Sequence, residues 1–541
     1  MLAAVAGRLV ATRACERLGF ARLRDYAVER VGVSVRQLQE LARVDAALAG
    51  LPGIEAALRE GELSWTKARL LCRVATAENE AAWCVVAARL SARELSREVR
   101  QVDARSVGKG GGELHVMGAE SGDEEPWEQV RVHCSQGGRG RWVLACRVAE
   151  RTAGGSLPRW ACAEAVAAEA FATVGLGPEG LPPLDPEVAE PSAVMDPSAP
   201  ARGMTKALCS LPLQPPPPDP KWEQWQQDLA EADAFELDAR LRRGLAHEQR
   251  RLAGIGPQLL WVASERLYRL HGHRSFDAYV RDELALCPST ARALLRVERL
   301  ACASEVFRRA WRRGRVSWMQ AHVLAPLLGL EDSRRWHEAW IARASQVTVR
   351  RLRDDVEEAL AQGVFDPSGL ADLPTGLQTG ASPRRSRTRV CLRFGAPRSV
   401  VQLFRAVLAR VQRRIEQRLG RTSSEGEAFE AMLEHALESW GLDRPLARKY
   451  AVFERDGWRC TVPGCTSYRN LQDHHIRFRS AGGSEALENR TTLCAFHHLR
   501  GVHAGRVGCR GRAPERLVFE LGLRDGEAPL MRFGAGDRVM R

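Results

Sequence analysis

Cys460, Cys465, Cys494 and His497 have the residue types and the spacing of a tetrahedral metal site. Cys460-x4-Cys465 and Cys494-x2-His497 are two close pairs of soft ligands separated by a loop, the arrangement in which thiolates and an imidazole hold a structural zinc. Because metal binding contributes directly to folding, such a site can pin a small domain with little core of its own. A second set of residues is interleaved with the first: Asp473-His474-His475-Ile476, Gly482-Gly483, Asn489, His498 and His503. Five of the chain's 13 histidines fall between residues 474 and 503, a concentration that points to a shared task. Adjacent side chains on an extended segment face opposite ways, so one of His474 and His475 can ligate an ion while its neighbour faces a water. His498, just inside a helix expected after Cys494, can reach across to the same ion.

The elements that must position these groups are short. Tyr450 to Cys460 reads as a helix broken at Gly457 and delivered into the first cysteine, and Leu517–Leu521 alternates as a short strand would. Arg477, Arg479, Arg490 and Arg500 surround the histidines as candidate phosphate contacts. Residues 441–541 hold 18 Lys and Arg against 11 Asp and Glu, a net of +7 out of the chain's +13, so this region favours a polyanionic partner. Phosphate contacts supply affinity without reading base sequence. The preference for arginine over lysine has a second reading, codon bias in a G+C-rich genome.

Taken together, Cys460-x4-Cys465, His474-His475-Ile476, Arg479-Ser480-x-Gly482-Gly483, Asn489, Leu493-Cys494-x2-His497-His498 and His503 form a pattern that resembles the HNH endonuclease family, with its beta-beta-alpha-metal core, over residues 446–507. The resemblance implies a metal-dependent DNA endonuclease that hydrolyses phosphodiester bonds. It implies that His475 is the general base taking a proton from the attacking water, and that His474 and His498 hold one catalytic divalent metal. His503 is then a further ligand or a phosphate contact, and Asn489 ties the histidine-bearing loop in place. Cys460, Cys465, Cys494 and His497 are left to hold one structural Zn2+. Two departures from the commoner family pattern stand out: the first pair is spaced by four residues, including Pro463 and Gly464, and His497 stands where a fourth cysteine is more usual. Histidine has the proton affinity to activate water near neutral pH. Imidazole ligands suit Mn2+, Ni2+ or Zn2+ while Mg2+ prefers oxygen, which leaves the ion's identity open among the four. The rival reading is a non-catalytic, zinc-stabilised DNA-binding module on a helical scaffold. A third is a helical interaction protein with a vestigial nuclease tail.

The chain upstream matches itself. A shift of 253 residues places Tyr26 on Tyr279, Arg43-Val44 on Arg296-Val297, Gly61 on Gly314, Ser64-Trp65 on Ser317-Trp318 and Trp83 on Trp336. At an offset of 257, Cys134 falls on Cys391 within strand-like pieces at Gln129–Cys134 and Ser386–Phe394. The expected architecture is mainly α with minor β: one mostly helical repeat copy over 1–174, a Pro/Gly-rich linker over 175–220, a second copy over 221–440, a small zinc-stabilised beta-beta-alpha-metal domain over 441–510 and an extension over 511–541. Apolar residues return at three and four places, as at Leu58, Leu63, Trp65, Leu70, Leu71 and Val74, which predicts helices burying one face. Trp65 and Trp318 read as equivalent packing anchors, and Arg384-Arg385-Ser386-Arg387 as a solvated loop. The 14 cysteines fall mostly singly in apolar or helical contexts, not at the density of a small secreted disulfide scaffold. With no signal-like N-terminus and no run of about 18 apolar residues, a cytoplasmic protein with DNA and no membrane as partner is expected.

Overall fold

The computed structural model describes residues 2–107, 126–174, 228–284, 286–370, 390–442 and 444–540, and these are mainly α-helical with a minor β component. The expected linker at 175–220 and the basic run at 384–387 lie outside the described residues. Helices start where the sequence supplies a cap. Ser64 Oγ accepts from Lys67 N at 3.3 Å, and Ser317 and Ser424 close capping boxes with Gln320 and Glu427; a cap of this kind is worth about 1 kcal/mol. Gly61 and Gly314 take left-handed φ of 82° and 68° just before the helices Trp65–Leu71 and Trp318–Leu328, a conformation that costs glycine no Cβ clash. Trp65 packs against a core cluster that includes Ile54 and Leu71, and Trp318 packs 6.1 Å from the buried Trp311 ring.

Two helical cores carry much of the burial. Val44, Leu48, Ile54, Leu71, Leu95 and Val99 fill the first, and Leu294, Leu295, Trp311, Leu324 and Trp340 the second. Between them in sequence runs a strand, β1 (Trp127–Cys134), whose partner is β2 (Val390–Pro397). The two are antiparallel, with Val132 opposite Leu392 and Val130 opposite Phe394. Their alternating apolar residues face one layer of helices, Gln136–Thr152, Arg159–Val174, Arg398–Leu419 and Glu425–Trp440. One sheet therefore joins segments more than 250 residues apart.

The C-terminal region is β-rich and sits on the same core as the chain's N-terminus. The helix Arg444–Arg455 ends at Gly457 and Trp458, which have φ of 67° and 52°. The hairpin β3 (Leu471–His475) and β4 (Arg490–Cys494) follows, then β5 (Val507–Arg512), β6 (Arg516–Leu521), β7 (Met531–Gly534) and β8 (Arg538–Met540) in one antiparallel sheet. A single short strand was expected beyond residue 510; three are present, with β5 beginning just before it. Cys460, Cys465, Cys494, Phe519 and Phe533 share one apolar cluster with Val5, Leu9, Leu18, Leu38 and Leu241. Among the described residues no helix is long and apolar enough to cross a membrane.

Candidate metal centres

Cys460, Cys465, Cys494 and His497 converge. All four are buried, and their donor atoms lie within 4.8 Å of one another. The Cys460 and Cys494 sulfurs are each 3.4 Å from His497 Nδ1. Zinc bonds of ~2.3 Å to sulfur and ~2.0 Å to nitrogen at a tetrahedral angle make that edge about 3.5 Å, so the donor set fits the ion. Burial opposes a charge on His497, but the Cys465 and Cys494 sulfurs outweigh it and lift its pKa to about 10. Hydrogen bonds from Cys460 and Cys465 hold the Cys494 thiol far below its ordinary value. Burial pushes the Cys460 thiol up, and the neighbouring sulfurs together with burial push the Cys465 thiol up, so Cys494 is the one sulfur favoured as thiolate without a cation.

The groups around this cluster come from distant parts of the chain. His497 Nε2 donates to the Gly19 carbonyl at 3.0 Å, which leaves Nδ1 as the ligating nitrogen. Ser467 N donates to Cys465 Sγ at 3.4 Å, and Ser467 O accepts from Cys460 N at 2.9 Å. Thr466 Oγ1 donates to Asp25 at 2.7 Å. The partly buried Arg350 donates to the carbonyls of Cys460 and Cys465 while pairing with Asp537 at 2.6 Å.

The second group is His474, His498 and His503, whose donor nitrogens also lie within 4.8 Å of one another. His474 is on β3 opposite Thr491, buried, with Nε2 lacking a hydrogen-bond partner. Burial first, then the neighbouring histidines, lowers its pKa to about 4, so the imidazole keeps its lone pair at neutral pH. His498 Nδ1 lies 2.6 Å from Gln472 Oε1, which can only accept; Nδ1 is therefore the protonated nitrogen and Nε2 the free one. That Nε2 is 3.1 Å from His503 Nε2, the separation two nitrogens have on one ion at bond lengths of ~2.1 Å.

A regular helix was expected after Cys494, and it would put residues five apart about 140° away from each other. The segment Phe496–Val502 is instead a wide π-type turn, with His503 N donating to His498 O at 3.1 Å. That widening places His498 and His503 on one side, as π turns do at many functional sites.

His475, next along β3, faces away from this group, with Nε2 3.2 Å from Glu485 Oε1. Asn489 clasps the β3–β4 connection: Oδ1 accepts from Arg477 N at 2.9 Å, and Nδ2 donates to Arg477 O and Ser484 O at 3.2 and 2.8 Å. Phe478, inside that loop, stacks on His503 with centroids 5.1 Å and planes 9° apart, and meets His474 edge-on at 5.7 Å. Arg477, Arg479 and Arg500 are exposed; Arg479 pairs with Glu485, and Arg500 lies 3.5 Å from Glu16. Arg490 is buried on β4 with its guanidinium taken by Asp473, in place of the exposed position a phosphate contact needs. Gly19, Arg350, Gln472, Phe478 and Glu485 carry no spacing signal that links them to the cluster. Comparison of the chain with protein-family models, curated proteins and solved structures finds no match.

Proposed function

We propose that this chain is a metal-dependent DNA endonuclease of HNH type, and that its Cys3His cluster is a structural zinc site serving the histidine site beside it. The observation that carries the reading is the convergence of His474, His498 and His503 on one point, with a buried Nε2 of His474 left without a partner. An unpaired buried polar atom costs about 1–3 kcal/mol, and this one, unlike the unpaired ring nitrogens of His322, lies beside two further imidazole donors that one ion would satisfy together with it.

In this reading His475 is the general base. Its Nε2 proton is held by Glu485, which leaves Nδ1 to take a proton from the attacking water. Asn489 fixes the loop that carries Arg477 and Arg479, and these with Arg500 meet the phosphate backbone. His474, His498 and His503 would hold a divalent cation, which would supply charge neutralisation for the phosphodiester. Residues 1–174 and 221–440 are read as two copies of one unit, supported by the matching glycine turns at Gly61 and Gly314 and serine caps at Ser64 and Ser317.

A second reading, a non-catalytic zinc-stabilised DNA-binding module, is favoured by the Cys3His cluster, which is complete without any chemistry. Plasmid cleavage by the full-length protein with Mg2+, Mn2+ or Ni2+ separates the two. His475→Ala is expected to lower the rate by at least about 100-fold while one zinc per chain is retained. Unchanged cutting by that variant removes His475 from the chemistry. Duplex binding without cutting under every metal supports the binding module.

A further inference from the structure

The helix Arg398–Leu419 contains six arginines and one glutamate. Arg398 and Arg405 are both occupied, each 3.7 Å from Glu128 on β1. The glutamate is occupied too, because Glu416 Oε1 accepts from Ser423 N at 2.9 Å. Arg410, Arg413, Arg414 and Arg418 have no ion-pair partner among the described residues; the first is half-buried and the other three are exposed. At ~100° and ~1.5 Å per residue, the four fall within an arc of about 140° and span about 12 Å, with Gln417 inside the same arc. The flank of the arc buries Phe404, Leu408 and Val411 in the layer beneath β1 and β2, and one turn earlier Ala406 and Val407 are buried within the arc itself, so the arginine face is confined to the helix's C-terminal turns.

Not every arginine-rich helix shows such a face. On the helix Glu305–Arg312, Arg308 and Arg309 both pair with Glu305, and Arg312 pairs with Glu298. Arg410–Arg414 and Arg414–Arg418 are instead like-charge pairs four residues apart, which destabilise a helix by a few tenths of a kcal/mol each, roughly. The helix dipole offsets this only within the last turn, which accounts for Arg418 and not for Arg410, Arg413 or Arg414. A set of repelling guanidiniums on one face is stabilised by an external polyanion, and the planar fork suits phosphate oxygens.

We propose that this arginine face docks the phosphate backbone of duplex DNA. It belongs to the β1–β2 layer and not to the metal-binding module. The inference rests on the DNA reading above.

The test uses full-length, zinc-loaded protein and a mixed-sequence DNA duplex, with no added divalent ion, and measures Kd across a salt series. Changing Arg410, Arg413, Arg414 and Arg418 together to Gln is expected to weaken binding at least tenfold. It should also reduce the slope of log K against log salt by about 3–4, near 0.9 for each lost phosphate contact. A charge-matched control changes four arginines already paired with glutamate, Arg59, Arg308, Arg309 and Arg334, to Gln, and should leave the slope unaltered. If the quadruple variant melts early, Arg410→Gln with Arg414→Gln is the fallback, with an expected loss of slope of about 2. Equal slopes for wild type and the arginine-face variants overturn the proposal, as does an equal loss in the control. Failure of the wild-type protein to bind duplex DNA at all is a different result, and it overturns the DNA reading itself.

Discussion

His497 Nε2 donates to the carbonyl oxygen of Gly19 at 3.0 Å, so a ligand of the Cys3His cluster is oriented by backbone 478 residues away in sequence. The same few turns of chain supply Asp25 to Thr466 and Arg22 to Ser467, at 2.7 and 3.2 Å. Holding a metal here and holding the N-terminal segment in place are one structural event.

Zinc removal should therefore loosen the N-terminal segment as well as the module. Trypsin has sites after Arg13, Arg17, Arg22 and Arg24. With chelator, or in Cys494→Ser, cleavage there is expected to speed up at least tenfold, the effect of making local opening about 1.4 kcal/mol easier. Cleavage at these sites that is indifferent to zinc would show that the Gly19 contact bears no load.

Asn489 makes three hydrogen bonds to the β3–β4 connection, two of them to Arg477. Asn489→Ala removes them all at about 1 kcal/mol each. Hydrogen exchange over residues 477–484 should rise and cutting should fall, with zinc content unchanged. Asn489→Asp keeps the acceptor for Arg477 N and loses both donors, so it should lie between the two. Gly483→Ala should resemble Asn489→Ala, because an added Cβ would collide with the Arg477 carbonyl oxygen.

These contacts mark where the sequence could be read and where it could not. The Cys3His set was legible because its ligands fall in two close pairs, and a zinc site needs only that the loop between them return. His498 and His503 lie five residues apart, and only the π-type turn at Phe496–Val502 aligns them, a backbone detail without a residue signature. Arg490 was read as a candidate phosphate contact; Asp473 on the paired strand holds its guanidinium in the interior. The sheet after residue 506 was half-hidden because the apolar face of β5 stops at Val507 and Cys509, with Gly511 in the next position, while Leu517, Phe519 and Leu521 carry it through β6. Arg350 and Gly19 gave no signal, since nothing in local spacing reports a partner more than a hundred residues away.

Phe478 should act on the metal site through His503, the ring it stacks on. Phe478→Ala is expected to weaken Mn2+ or Ni2+ binding about tenfold, the usual lower bound for losing a group that orients a ligand. Phe478→Tyr should restore most of it. Combined with His503→Ala, the Phe478→Ala change should add less than it does alone, because only the edge contact with His474 remains. Full additivity in calorimetric titrations of the four proteins would place Phe478 outside the site.

His322 gives a pH dependence that belongs to the helical core and not to the metals. Both ring nitrogens are buried without a hydrogen-bond partner, and the ring lies edge-on to Trp318 at 4.7 Å. Burial, reinforced by Arg296, lowers its pKa from 6.5 to about 4. Between those values the unfolded chain binds a proton that the folded chain refuses, so stability is fully present above pH 6.5 and is lost as pH falls toward 4. From pH 7.5 to 5 the loss from this one side chain is about 2 kcal/mol. His322→Leu, which fills a similar volume without the unpaired nitrogens, should raise stability at both pH values and by about 2 kcal/mol more at pH 5. Urea denaturation of the two zinc-loaded proteins at each pH measures the difference directly, and a gap that does not widen on acidification sinks the assignment.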